Sequence, residues 1–194
     1  MNPAKLLTVL LLVFFAVACS SPAVRSQQQG IAIARGVNLF LPRADELTGS
    51  FNAIQAITAE YEDRSFSFEA HIEARPGKIT IVALGPLGGA LFSISYDGNE
   101  LVASGSPQAI SVDAEYVLAD VLLAHWDVDW LNRRIEGAVV EVSQTGDERF
   151  VTRQDDLLIG ISYESPNPWG GMATLTHLER LYTLHIRTAE FTPQ

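Results

Sequence analysis

The chain has 194 residues, 47% of them apolar and 19% charged, with a formal net charge of −10. That length suits one domain with a proper core. An acidic chain lacks the basic face that nucleic-acid phosphates demand, and it is not drawn electrostatically to anionic lipid head groups. Attachment to a membrane would have to come from something other than charge.

The N-terminus offers such a device. Met1 to Lys5 carries one positive charge, and Leu6 to Val17 is apolar apart from Thr8. This is the length of a signal-peptide core and too short to span a bilayer. It ends in Ala16-Val17-Ala18-Cys19, and Cys19 is the only cysteine, so no internal disulfide exists. The run resembles a bacterial lipoprotein signal, with Ala16 where Leu is usual. The resemblance implies a signal peptide over 1–18, diacylglycerol on the Cys19 thiol and acylation of the new amine. Several acyl chains anchor durably, since each buried CH₂ contributes roughly 0.8 kcal/mol. Ser20 stands where an Asp would retain an enterobacterial lipoprotein in the inner membrane, which implies an outer-membrane anchor facing the periplasm.

Residues 19–45 read as the lipidated N-terminus and tether, and 46–194 as the folded domain. Ser20 to Gln29 is small and polar without periodicity. Ile31 to Leu41 is apolar but broken at Arg35-Gly36, and fits either an edge strand or a segment lying on the domain. Pro42 to Ser50 is a loop or a single helical turn.

From Phe51 the pattern is β. Ala53 to Tyr61 is a strand. Ser65 to Ala74 alternates, with Phe66, Phe68, Ala70 and Ile72 on one face and Ser67, Glu69, His71 and Glu73 on the other, as in an antiparallel sheet with one wet side. Lys78 to Ser104 reads as a three-stranded meander. Its first connection is Gly85-Pro86-Leu87-Gly88-Gly89, and its second is an Asp97-Gly98 hairpin, for which a two-residue type I′ turn is expected. Asp113 can cap a helix over Ala114 to His125, with Val117, Leu118, Val121, Leu122 and Trp126 as its apolar stripe. Asp127 to Ile135 fits a second short helix. Strands resume over 138–143, 149–153, 157–163, 172–177 and 182–191, giving about ten strands around a helical insert.

Reactive constellations are absent from the pattern. His71, His125, His177 and His185 form no HExxH or His-x-His arrangement, so no metal site is expected. There is no G-x-S-x-G elbow, and the glycines of 85–89 match neither a dinucleotide fingerprint nor a P-loop. Asp127 and Asp129 lack the further oxygen ligands of a calcium loop. No catalytic residue and no cofactor is expected. An enzyme would need a convergent polar cluster around His125 or His177.

Apolar residues remain. Phe66, Phe68, Phe92 and Tyr96 share strand phases, and the helices add Leu122, Leu123, Trp126, Trp130 and Leu131. These fit a packed core under a helical cover, or the lining of a hydrophobic cavity; periodicity does not separate the two. A packed scaffold would act through its surface on a protein partner.

Strand, Gly85-Pro86-Leu87-Gly88, strand, turn, strand and then two helices from Asp113 resembles the outer-membrane lipoprotein receptor LolB and, more distantly, its periplasmic carrier LolA. Trp126, Val128, Leu131, Ile135 and Gly137 keep the spacing of the LolB segment after its first helix, and Asp127 stands where a small or Pro-containing turn is usual. The combination GPLG, SYDGNEL, YVLADVLLAHW and LNRRI is more similar still to the bacterial lipoproteins grouped as the domain of unknown function numbered 3261. Genes of that group often lie beside those for aryl-polyene or related fatty-acid-type lipids.

The resemblance implies an α+β fold in which one strongly bent antiparallel sheet, a half-barrel, is capped by helices. It also implies a cavity that takes the acyl chains of a lipid or lipoprotein ligand, exchanged with a periplasmic LolA-like carrier. The expected lining is Phe66, Phe68, Ile81, Phe92, Ile94, Leu122 and Trp126. Leu87 falls where the LolB membrane-insertion loop carries its leucine, or else folds back onto the core.

Overall fold

The structure is a computed structural model that describes residues 30–105, 113–143 and 146–194. The segment expected to be a signal peptide, Cys19 and the polar stretch up to Gln29 lie outside the described residues. In chain order the elements are β1 (Ile31–Ala34), β2 (Val37–Leu39), β3 (Phe51–Tyr61), β4 (Arg64–Arg75), β5 (Lys78–Leu84), β6 (Ala90–Tyr96) and β7 (Leu101–Gly105). Then come α1 (Ala114–His125), α2 (Val128–Asn132), β8 (Ile135–Glu136), β9 (Val139–Val142), β10 (Glu148–Arg153), β11 (Asp156–Tyr163), β12 (Met172–His177) and β13 (Tyr182–Pro193).

Among the described residues, ten strands form one open sheet in the order β7-β6-β5-β4-β3-β13-β12-β11-β10-β9. Every adjacent pair is antiparallel. The chain's last strand joins β3 in a ladder as long as that between β3 and β4, from Tyr182 opposite Tyr61 to Pro193 opposite Phe51. The alternation in β4 holds: Phe68, Ala70, Ile72 and Ala74 are buried, and Ser67 and Glu69 are exposed.

The sheet curls around α1. Strands β3 and β10 lie four steps apart, about 19 Å along a flat sheet. Yet Gln55 of β3 reaches His125, and Arg149 of β10 donates to the Leu123 carbonyl, two residues earlier on the same helix. The expected α+β architecture, a bent antiparallel sheet capped by helices, is the one observed. Helix α1 is more deeply buried than a single stripe predicts, with every residue from Leu118 to His125 buried. Its expected cap, Asp113, makes no side-chain capping bond.

Three expectations change. Residues 31–39, assigned to the tether or left open, form a hairpin that pairs with β8. Ile33 (2% exposed), Val37 and Leu39 (both 0%) are core residues, so the folded part begins by Ile31, ahead of the expected boundary at 46. The second helix is shorter, with Asp127 as its cap accepting from the Trp130 N–H, and Ile135 belongs to β8. The Asp97-Gly98 connection is not a two-residue turn. The Asp97 carboxylate accepts from the Asn99 and Glu100 N–H groups, which stabilises a four-residue loop in which Gly98 takes φ 80°. A Cβ at Gly98 would sit 2.1 Å from the Ala44 nitrogen, so the residue must be glycine.

Candidate functional site

A cavity of about 730 Å³ lies between α1 and the β4-β3-β13 part of the sheet. This is within the usual size of small-ligand sites. Its floor follows one face of β3 and β13, where Ile57 pairs with Ile186 and Ala59 with Leu184. Phe66 and Phe68 extend the floor onto β4, and Tyr116, Val117, Asp120 and Val121 form the helical wall. From Gln55 to Tyr61 the floor spans seven residues of extended strand, about 20 Å. That length accommodates an extended acyl chain.

The two ends differ. At one end Tyr61 is 42% and Leu181 72% exposed, and the charged lining residues Glu60, Asp113, Glu179 and Arg180 gather there. This is the mouth. At the other end Gln55 is fully buried and His125 is 7% exposed. The inner end is sealed by the loop between β11 and β12. Trp169 from that loop stacks on His125 at 3.9 Å and on Phe191 at 4.8 Å, and packs against Phe51 at 4.8 Å.

Polar groups along the wall are held in place. The Tyr182 hydroxyl lies 2.8 and 2.9 Å from the two Asp120 carboxylate oxygens. Burial raises the Asp120 pKa to about 7, against the opposing pull of Tyr182 and Arg180. Burial lowers that of His125 to about 3, so its imidazole is neutral. The Arg180 guanidinium lies 3.5 Å over the Tyr116 ring and donates to the Ala32 carbonyl. His177 is not in this cluster; its Nε2 donates to the Ile33 carbonyl at 2.8 Å and ties β1 to the sheet. Among the described residues, no group of three or more His, Cys, Asp or Glu side chains is arranged to hold a metal.

Of the residues expected to line a cavity, Phe66 and Phe68 do so. Ile81, Phe92 and Ile94 (each 1% exposed) and Leu122 (0%) are packed inside the core. The helix explains Leu122: it follows Val121 by roughly 100° of rotation, which turns it from the cavity wall into the packed side. Phe92 meets the cavity floor through an edge contact with Phe68 at 6.0 Å. Trp126 lies beyond the inner end, between smaller clefts of about 580 and 280 Å³. Sequence reasoning missed Gln55, Asp120, Arg180 and Tyr182, whose polar types gave no apolar signal, and Trp169, which sits in an irregular loop.

Leu87 is 101% exposed and does not fold back onto the core. The Gly88 N–H bonds the Gly85 carbonyl at 2.8 Å, and Gly88 takes φ 78°, which leaves Leu87 on the outer corner of the turn. The β5–β6, β3–β4 and β12–β13 turns leave the same edge of the sheet, but the registers set Leu84, the last residue of β5, level with Ala56 of β3, five positions short of Tyr61. Tyr61 and Leu181 project from the mouth, and Leu87 stands on the same edge of the sheet, set back from it.

The family described as protein of unknown function DUF3261 matches residues 52–190. The chain belongs to it. The matched span holds all ten of the cavity's floor and helical-wall side chains named above, together with Gln55 and His125 at its inner end. No curated protein matches the chain. Among solved structures, a domain described as an outer membrane lipoprotein-sorting protein domain from Vibrio parahaemolyticus matches over 78% of this chain and 88% of its own. The two are 8% identical, with a TM-score of 0.38.

Proposed function

We propose that this family member is an outer-membrane-anchored lipoprotein that binds an acylated ligand, lipid or lipoprotein, in the cavity beneath α1 and passes it on without covalent chemistry. The observation that carries this reading is the cavity itself: an apolar trough about as long as an acyl chain, sealed at one end, with exposed apolar side chains at the other. Each CH₂ sequestered there contributes roughly 0.8 kcal/mol, so transfer follows a gradient of apolar burial. Cys19 would supply the anchor, and Leu87 would touch the bilayer while the mouth exchanges its ligand. A periplasmic carrier of the LolA kind is the natural donor. The gene neighbourhood of the resembling lipoproteins makes aryl-polyene and fatty-acid-type lipids the first ligands to try.

The test is native mass spectrometry on the chain from Ser20 onward, purified from periplasm, with organic extraction of bound material. A co-purifying acyl lipid is expected in the wild type. It should be lost in Ala59→Trp, whose indole fills the trough from the floor while leaving the core intact. A ligand-free wild type that takes up no added fatty acid or acyl-peptide sinks this reading and leaves a scaffold acting through its surface.

A further inference from the structure

The inner end of the cavity contains a hydrogen-bonding imbalance that its apolar walls do not explain. Gln55 is fully buried and is part of the lining. Its Nε2 lies 3.0 Å from His125 Nε2 and 3.1 Å from Thr188 Oγ1. His125 fixes which way the amide points. Its Nδ1 is 3.0 Å from the Pro168 carbonyl, which can only accept, so Nδ1 carries the proton. A neutral imidazole then presents a lone pair at Nε2, and Gln55 must offer it an N–H. Both amide hydrogens are spent, one on His125 and one on Thr188.

Gln55 Oε1 is left buried with no partner among the described residues. Turning the amide over does not help, because Oε1 would then face the imidazole lone pair and an N–H would be stranded instead. A buried acceptor without a donor costs about 1–3 kcal/mol. The protein keeps this cost where the trough ends.

We propose that the inner end recognises a neutral hydrogen-bond donor, a hydroxyl or amide N–H, on the part of the ligand's chain that reaches deepest, with Gln55 Oε1 as its acceptor. His125 and Thr188 are positioning residues that hold the amide. The donor belongs to the tail and not to the head group, because Glu60, Asp113, Glu179 and Arg180 are at the mouth, where a polar head stays in water, and Asp120 on the wall is already bonded to Tyr182. The donor is uncharged, since no lining residue at the inner end carries an opposite charge to meet an ion. The proposal rests on the acyl-ligand reading above and specifies the ligand further.

The experiment compares palmitate with ω-hydroxypalmitate by isothermal titration, on the chain from Ser20 onward, which keeps every described residue. The two probes share a head group and differ only at the deep end. Wild type is expected to bind the ω-hydroxy acid about tenfold more tightly, the gain from satisfying one stranded acceptor. Gln55→Met, which keeps the bulk and removes the acceptor, should reverse the order. A plain apolar trough gives the opposite sign in the wild type, because a hydroxyl loses its water and gains nothing. Equal affinities, or a preference for palmitate, overturn the proposal while the acyl-ligand reading stands. So does a hydroxyl preference that survives in Gln55→Met. Binding of neither probe overturns both. If Gln55→Met fails to fold by circular dichroism, the wild-type order alone decides.

Discussion

Helix α1 meets the sheet on two flanks, and the two are finished differently. On the β10–β11 side its last carbonyls are bonded: Arg149 donates to the Leu123 carbonyl, and the Tyr163 hydroxyl to that of Ala124 at 2.6 Å. A cationic donor at a helix C-terminus also suits the helix dipole. Val151 and Ile159 there are 0% exposed, as is Leu122 of the helix. On the β4-β3-β13 side Phe66, Val117 and Leu184 are only partly buried and face open space. Apolar surface left beside a void forgoes stabilisation of about 25 cal/mol per Å². One flank is built for stability, and the other keeps room that stability alone would fill.

The sharpest way to break this comparison is to truncate one residue on each side. Leu122→Ala removes a fully buried side chain from the filled region and should cost about 2–5 kcal/mol. Phe66→Ala removes a larger side chain from the cavity floor, yet it should cost much less, because few partner atoms are lost. Urea denaturation of both variants measures this directly. Equal losses would mean that the cavity flank is packed as tightly as the other.

Much of this was legible in the sequence, and the limits have physical causes. The alternation of Phe66 to Ile72 and the apolar run of α1 report local periodicity, and both elements fell where expected. Phe66 and Phe92 sit on equivalent strand phases, yet one faces a cavity and the other the core. Only the position of α1 over the sheet separates them, and no local pattern encodes it. Gln55 read as a polar residue in a mixed strand. Its partners are 70 and 133 positions away, on α1 and β13. The β1–β2 hairpin stayed ambiguous because it is short and closes its sheet through β8, almost a hundred residues later. Leu87 was legible as a turn residue, because Pro86 and Gly88 fix the turn chemistry around it.

A second test sharpens the contrast through pH. Asp120 on the cavity wall titrates near 7 in the folded chain instead of 3.8, because burial disfavours its charge. Between those values the folded state holds a proton that the unfolded state releases, so Asp120 costs stability as pH rises, with the loss complete above about 7. His125 acts in the opposite sense. Its ordinary pKa of 6.5 falls to about 3 on burial, so it costs stability as pH drops below 6.5. From about pH 4 to 6.5 the two slopes oppose. Asp120→Asn removes the first and leaves the second, together with His177, which burial also holds low. Between pH 7 and 4 the variant should lose stability relative to wild type by roughly 1.4 kcal/mol per pH unit. Parallel urea midpoints across that range would mean that Asp120 titrates as an ordinary carboxylate.

The smallest effect on stability is expected at Leu87, where the functional effect should be large. The side chain is fully exposed at the tip of its turn and buries nothing, so Leu87→Asp should shift stability by no more than about 0.5 kcal/mol. A leucine that enters a bilayer contributes about 1.5–3 kcal/mol. Co-sedimentation with neutral phosphatidylcholine vesicles, using the chain from Ser20 onward so that no anchor masks the contact, should therefore weaken at least about tenfold in Leu87→Asp. Leu181→Asp, on the β12–β13 turn beside the mouth, is the control for geometry: a mouth and β5–β6 turn that meet the bilayer together predict a loss in each variant. A loss in neither would remove the bilayer from this end of the molecule. A loss in Leu181→Asp alone would keep the mouth at the membrane and return Leu87 to the role of an ordinary turn residue.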